Sequence, residues 1–454
     1  MRFRVPLLAM MALCGAASAR AAEQPPFKLV RSDEDYGYLR ATPPTSAGDR
    51  LRFMPLDDTG SAYLSLGGEA RIRLDTIDAP RFGVAGEQAD TFGLARFLFS
   101  ADLRLSPAVR IYGELGLHRD LDKTDPPAPS DRDGLDAQLL FADLRPSDDW
   151  RFRLGRQELT FNAAQRFISV REGPNIRQAF DGVRVTHTAK GLQLDAFYLQ
   201  PVAAEPGAFN DERNRGQRFY GLYGVRRFSA ASTLDLYVLG LERDDVRFGT
   251  ATGDERRTSV GGRLAGARGA FDYDVEGMVQ RGRFAGRSIR AWGGSAAAGW
   301  TLRQPWKPRL GLRVDMGSGD GDPTDRRLGT FNPLFPRGAY FNEASLNSWA
   351  NLRAIRPSLG FTPRKAVTVE FSYLARQRYS GRDAIYLQPM TALPGSTMST
   401  AKAVGDTIQA DAAWQLNRNL KLQFEALHQN AGPAVRAAGG HDVDFGMAIL
   451  QYRF

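Results

Sequence analysis

Apolar and polar residues alternate with period two along most of the chain. Between Tyr63 and Leu74, the residues Leu64, Leu66, Ala70, Ile72 and Leu74 share one face, while Ser65, Glu69, Arg71 and Arg73 share the other. The next stretch repeats the pattern, with Ala95, Phe97, Phe99, Ala101, Leu103 and Leu105 set against Arg96, Ser100, Asp102 and Arg104. A helix would space its apolar residues three and four apart, so both segments read as strands. Comparable segments follow at 61–77, 90–105, 108–119, 134–145, 149–159, 177–188, 191–201, 215–228, 231–243, 255–268, 270–281, 287–302, 307–316, 347–360, 365–378, 402–416, 418–429 and 441–454. They amount to about 18 strands, most of them long enough to cross, when tilted, an apolar band about 25 Å tall.

The connections alternate as well. Ser106-Pro107, Pro146-Ser147-Asp148, Ala189-Lys190, Ser229-Ala230 and Asn417 are tight turns, and long polar segments lie between them at 120–133, 160–176, 202–214, 317–346, 379–401 and 430–440. Only 282–286 is short for its side. Short turns at one end and long loops at the other are the pattern of an outer-membrane barrel. An even strand number returns the chain to the side on which it began. The last strand alternates Gly446, Ala448, Leu450, Tyr452 and Phe454 with Met447, Ile449, Gln451 and Arg453 and ends on an aromatic residue. A secreted β-sandwich would have shorter strands and two apolar faces packed across a core. The expected fold is therefore all-β, a transmembrane antiparallel up-and-down barrel, with residues 1–21 a cleaved signal peptide, 22–60 an N-terminal periplasmic segment and 61–454 the barrel.

The first residues supply the signal: Arg2 and Arg4, an apolar run from Val5 to Ala17, and small-x-small cleavage sites at Ala17–Ala19 or Ala19–Ala21. Cys14 is the single cysteine and goes with it, so the mature chain has no disulfide or thiol chemistry. Losing Arg2, Arg4 and Arg20, and no acid, lowers the formal charge from +9 to +6. Export and dispersed charge argue against nucleic acid and for an anionic solute or surface. No later apolar run reaches the ~20 residues of a membrane helix, and a closed barrel is the remaining way to satisfy the backbone in lipid.

In so wide a barrel the charged faces line water. Alternation turns Arg71, Arg73, Arg96, Arg104, Arg153, Arg184, Arg263, Arg313, Arg353 and Arg376 inward, with Asp272, Asp274, Glu276, Glu370 and Glu425 among the acids. Any one of these arginines is most simply a cross-strand ion pair; the set is what sets ion preference. Trp150, Trp292, Trp300, Trp306, Trp349 and Tyr373 lie near strand ends and are candidates for interfacial girdles. Asp320, Asp322 and Asp325 stand in a Gly-rich loop that offers oxygen ligands to calcium, with a solvated loop as the simpler reading. The four histidines, His118, His187, His428 and His441, have no metal spacing and lie in no nucleophile motif, so no catalytic residue, enzymatic activity or other cofactor is expected.

Two stretches are more specific. Phe152–Leu159, Arg171–Arg177 and Phe180–Arg184 form one, and Thr330–Phe341 followed by Asn351-Leu352 the other. They resemble the alginate-export family of outer-membrane porins. The resemblance implies an 18-stranded monomeric barrel in the outer membrane, with an Arg-rich lumen that conducts an anionic polysaccharide outward. It adds Arg156 to Arg153 and Arg184 as a lumen candidate. Alternation instead puts Arg156 on the Phe152/Leu154 face and sets Asp181 at the rim, against loop 160–176. The implied partners are the polysaccharide or a small anionic solute, outer-membrane lipid and lipopolysaccharide, the barrel-assembly machinery and, for an exporter, periplasmic export components. The alternatives are an uptake porin for small organic anions or sugars, and a plugged structural or adhesive barrel. Segments 317–346 and 379–401 are candidates for inward plugs or for surface caps.

Overall fold

The computed structural model describes residues 25–454 apart from 43, 45, 85, 125–127, 249 and 250. The expected signal, Cys14 included, lies outside the described residues.

The strands are β1 (Tyr63–Ile77), β2 (Asp90–Arg104), β3 (Val109–Leu121), β4 (Asp133–Ser147), β5 (Trp150–Gln157), β6 (Phe180–Ala189), β7 (Leu192–Ala203), β8 (Gln217–Ser229) and β9 (Ser232–Phe248). They continue as β10 (Ala251–Arg268), β11 (Phe271–Phe284), β12 (Arg287–Thr301), β13 (Arg309–Gly317), β14 (Leu352–Arg364), β15 (Val367–Arg378), β16 (Ala403–Gln415), β17 (Leu420–Ala431) and β18 (Val443–Arg453). Each pairs antiparallel with the next, and β18 closes on β1 with Glu69 opposite Arg453 and Ile77 opposite Phe445. This is a closed, 18-stranded antiparallel barrel. Every expected segment has its strand. Segment 347–360 starts late, at Leu352, because Trp349 and Ala350 belong to a buried loop.

Burial follows the alternation. Leu154 is 64% exposed on the outer face, while Arg96, on an inner face, is 0% exposed. An outer wall carrying Leu140, Leu144, Leu222, Leu236 and Leu310 in the open is stable only against hydrocarbon. Trp150, Trp292, Trp300, Trp306 and Tyr373 are exposed as a girdle requires, but Trp349 is fully buried inside the barrel.

The lumen is not simply water-lined. From β6 to β15 the inner wall presents Phe197, Leu199, Phe219, Tyr223, Tyr237, Leu239, Met278, Ile289 and Leu374. Two long connections fold in against it: 158–179 brings Leu159, Phe167 and Ile168, and 318–351 brings Phe331, Leu334, Phe335 and Trp349. They touch through a parallel bridge between Ile168 and Phe335. Here both faces of the wall are apolar, one meeting lipid and one meeting loops.

That inner core corrects the placement of Arg353. Leu352 and Ala354 face the packed loops, so Arg353 joins exposed Ile355 on the outer face and stacks over the Tyr379 ring at 4.6 Å. Arg156 likewise leaves the lumen. It sits at the long-loop rim opposite Asp181, with its Nε donating to Asp181 Oδ1 at 2.9 Å.

The barrel seam closes on glycine. Gly68 and Phe454 exchange backbone hydrogen bonds of 3.1 Å, and a Cβ at Gly68 would lie 2.5 Å from the Leu98 carbonyl and 2.6 Å from the Phe454 ring. Gly68→Val should therefore push Phe454 off β1 and cost about 1–3 kcal/mol, as overpacking does. Heat-modifiability on gels should show a lower unfolding midpoint for it, and Gly277→Ala, whose Cβ meets open space, should match wild type.

Candidate functional site: the lumen and its plug

The inward loop 158–179 is held by charge. Arg96, on the inner face of β2, donates from Nε to Glu69 Oε1 at 2.8 Å and from Nη2 to Glu172 Oε1 at 2.6 Å. Arg177, near the loop's end, holds its start and its middle: Nε donates to Glu158 Oε1 at 2.5 Å and Nη1 to Glu172 Oε2 at 2.6 Å. Glu172 thus lies between two guanidinium groups. Burial pushes its carboxyl up, but Arg96 and Arg177 outweigh that and hold it below the usual carboxylate range.

Arg71 plays a different part. Its Nη1 donates to the carbonyl of Glu172 at 2.6 Å, and its Nη2 to those of Gly173 and Pro174 at 3.0 and 3.2 Å. These carbonyls lie in an irregular segment inside the barrel, and the guanidinium supplies the donors that a β-ladder would have given. Asn175 adds bonds to the carbonyls of Ala95 and Asp131. The segment Arg171–Arg177 singled out in the sequence is therefore the lock of the inward loop.

The second specific stretch locks the other loop. Tyr340 donates to Asp315 Oδ1 at 2.9 Å and accepts from Arg166 Nε at 3.1 Å, while Arg313 lies over its ring. Arg73 joins Asp75 to Glu343, with 2.7 and 2.6 Å contacts. Segment 379–401 closes over this loop through Asp383, which accepts from Thr330 Oγ1 at 2.6 Å and from the Asp320 backbone N–H at 2.7 Å. Of the two plug candidates, 317–346, which overlaps the connection 318–351, is the inward one, and 379–401 bonds to it through Asp383.

The short-turn mouth is occupied too. Residues 29–35 of the N-terminal segment run inside it. Arg31 donates to the carbonyls of Gly68 and Phe454, Arg110 to that of Ser32, and Arg177 to that of Leu29. Arg104 binds the same segment through Asp35 and the Glu34 carbonyl. A cavity of about 830 Å³ remains beside it, bounded by Asp35, Tyr38, Arg104, Arg110, Asp143 and Arg151.

Most of the expected arginines are paired. Arg153 meets Asp143 at 2.7 Å, Arg184 meets Asp195 at 2.8 Å, Arg263 meets Asp274 at 2.6 Å and Arg313 meets Asp315 at 2.8 Å. Arg376 is fully buried and bonds Thr407 Oγ1 at 3.1 Å. Asp320 is buried against Arg287 at 2.9 Å, Asp322 caps Thr324, and Asp325 caps the Arg327 N–H. Those three carboxylates already have internal partners.

Other residues escaped the sequence reading. Arg166 and Glu172 lie in 160–176, which reads as a polar loop, and Arg177 opens the expected strand 177–188; none is among the expected site residues, although Phe161, Phe167, Ile168 and Val170 are apolar enough to betray an inward loop. Arg337 is exposed and Lys421 half-buried, and no ion pair to either is found among the described residues.

A closed antiparallel barrel with an apolar outer belt, a charged lumen and infolded loops is an outer-membrane porin, and the solved structures it resembles agree. Its fold matches Pseudomonas aeruginosa OccK2 (OpdF) in complex with glucuronate at a TM-score of 0.57 and 14% identity, over 86% of this chain and 98% of that one. It matches P. aeruginosa OpdO at 0.60 and 13%, over 86% and 97%, and OccK8 (OprE) at 0.57 and 13%, over 86% and 98%. No curated protein sequence matches the chain. The family profile for alginate export matches residues 62–448, and the chain belongs to that family.

The lock predicts an acid threshold. The folded pKa of Glu172 lies below the ~4.3 of a free glutamate, so its contribution is complete above about pH 4.3 and is lost as pH falls through the lower folded value. Single-channel recordings should be quiet from pH 8 to 5 and grow noisy and more conductive below about pH 4. Glu172→Gln should show that noisy state already at neutral pH and lose the acid dependence. The N-terminal segment makes a separate expectation: deleting residues 29–35 should raise conductance at every pH, without adding loop noise.

Proposed function

We propose that this porin passes small carboxylate-bearing solutes, with accessible cations in the lumen recognising the carboxylate. The observation that carries the reading is the pair Arg337 and Lys421. Arg337 is exposed on the inward loop between buried Pro336 and Tyr340, and Lys421 is half-buried on β17, near enough for their charges to interact. Most other lumenal arginines already have carboxylate partners, so these two hold donors free for a solute. A guanidinium matches a carboxylate with two parallel donors, and an ammonium adds a compact charge.

The accessible acids temper the attraction. The side chains of Glu370 and Asp411 are 38% and 34% exposed and share Arg356. A binding site must release what it captures, and interspersed carboxylates keep occupancy short. The filling of the lumen by loops 158–179 and 318–351 favours small solutes. The family's description favours a second reading, export of a uronate polymer, for which the plugged lumen would have to open.

Planar-bilayer measurements decide between them. Under a KCl gradient the reversal potential should report preference for Cl⁻, and glucuronate should interrupt the current at millimolar levels. Lys421→Glu with Arg337→Glu should move the reversal potential toward K⁺ and weaken glucuronate block at least tenfold. Cation preference in wild type would refute the carboxylate reading. Block by long oligouronates with none by glucuronate would favour the polymer.

A further inference from the structure

Three carboxylates meet at the long-loop rim, outside the lumen. Among the described residues, Asp133, Asp136 and Asp211 form the group of three acidic side chains whose oxygens all lie within 4.8 Å of one another. Two come from the start of β4 and the third from the connection 204–216. Loop and strand are brought together by backbone: the Phe209 N–H donates to the Leu135 carbonyl at 3.1 Å, and the N–H groups of Asn210 and Asp211 donate to Asp136 Oδ2 at 2.7 and 3.0 Å. A Cβ at residue 134 would overlap the carbonyl of Gly207, so glycine there is what lets the loop approach.

Asp136 accepts the N–H groups of Ala137, Asn210 and Asp211, and Asp211 accepts that of Glu205, but Asp133 is poorly compensated. Asp133 is 2% exposed, and its Oδ1 is buried with no hydrogen-bond donor among the described residues. Two neighbouring guanidinium groups give their hydrogen bonds to other acceptors. Arg156 is bidentate to Asp181, at 2.9 and 3.2 Å, and stands 3.8 Å from Asp136. Arg119 gives its Nη1 to the backbone carbonyls of His118 and Asp133. A buried carboxylate oxygen without a donor costs free energy unless a cation satisfies it.

We propose that Asp133, Asp136 and Asp211 bind a divalent cation, calcium, which ties connection 204–216 to the rim of the barrel. The donor set is all oxygen, as a hard cation requires. Calcium takes about six to eight oxygens at about 2.3–2.6 Å in a flexible geometry, which three carboxylate oxygens within 4.8 Å of one another can begin to supply, whereas magnesium, at about 2.0–2.1 Å, demands a near-ideal octahedron. Three protein oxygens leave positions for water. The site is distinct from the Asp320, Asp322 and Asp325 loop, whose carboxylates are held by hydrogen bonds and Arg287.

The test is calorimetric titration of CaCl₂ into the full refolded barrel after EDTA treatment, with the heat-modifiability midpoint read in parallel. One saturable site with a Kd of about 10⁻⁴–10⁻³ M is expected, the range of extracellular calcium modules, together with a higher midpoint. Asp211→Asn, on the loop, should weaken binding at least tenfold and, because it relieves the same repulsion, should not lower the midpoint in EDTA. Asp133→Asn should abolish the calcium increment and, by relieving repulsion, raise the midpoint in EDTA; if that variant fails to fold, Asp211→Asn alone carries the test. Asp322→Asn should bind as wild type does. Absence of saturable binding, equal affinity for MgCl₂, or wild-type affinity in Asp211→Asn would overturn the proposal.

Discussion

The carboxylate of Glu172, held inside the barrel between Arg96 and Arg177, is the contact on which the arrangement of the lumen rests. Bringing a long irregular segment into a membrane barrel is costly, because its carbonyls leave water without gaining a ladder. The charge network offsets that cost in two ways. Arg71 supplies donors to three consecutive carbonyls, and the Glu69, Arg96, Glu172 and Arg177 chain compensates each buried charge with more than one partner. With loop 158–179 fixed there, Phe167 and Ile168 are aimed at the inner wall, and the second loop can dock through Phe335. The apolar packing follows from the ion pairs, because burial has no direction of its own and the ion pairs do.

This order explains what the sequence revealed. Strand number, closure and register were legible because side chains in a strand alternate and each outer face must meet lipid. The long connections were harder. Whether a loop turns inward depends on partners far along the chain, such as Arg71 for Gly173 and Tyr340 for Asp315, and no local period records them. Arg353 and Trp349 show the same effect within strands and at their ends. The assumption that apolar means lipid holds for Leu74, Phe97, Leu140 and Leu154 and fails for Tyr112 and Phe141 and again at Leu352 and Ala354, because there the lumen contains apolar packing of its own.

Composition misled for a related reason. An excess of arginine reads as an electropositive pore, but Arg153, Arg184, Arg263 and Arg313 are consumed by Asp143, Asp195, Asp274 and Asp315. Paired ions inside a barrel act as struts between strands and contribute little net field. What a solute meets is the smaller set that is both inward and wet. Arg337 could not be assigned to that set from sequence, since it lies on a loop whose inward fold was hidden, and Lys421 drew no notice as one lysine among many arginines.

The family and the solved porins it resembles fix the architecture, and at 13–14% identity they leave the lining residues open. The lock then bears on what crosses. A small solute needs no more than a path beside the loops, whereas a polymer would have to displace 158–179 or 318–351 and expose Arg96, Glu172 and Arg177 unpaired. Breaking one buried ion pair typically costs about 3–5 kcal/mol, and this network contains several that share residues. Such a transition would require a partner or a solute that replaces the lost contacts, and an anionic chain would compete for Arg96 and Arg177 with the same carboxylate chemistry that Glu172 now supplies. The plug and the solute would therefore be rivals for one set of guanidinium groups, which makes the strength of the Glu172 lock the quantity that separates a small-anion porin from a polymer conduit.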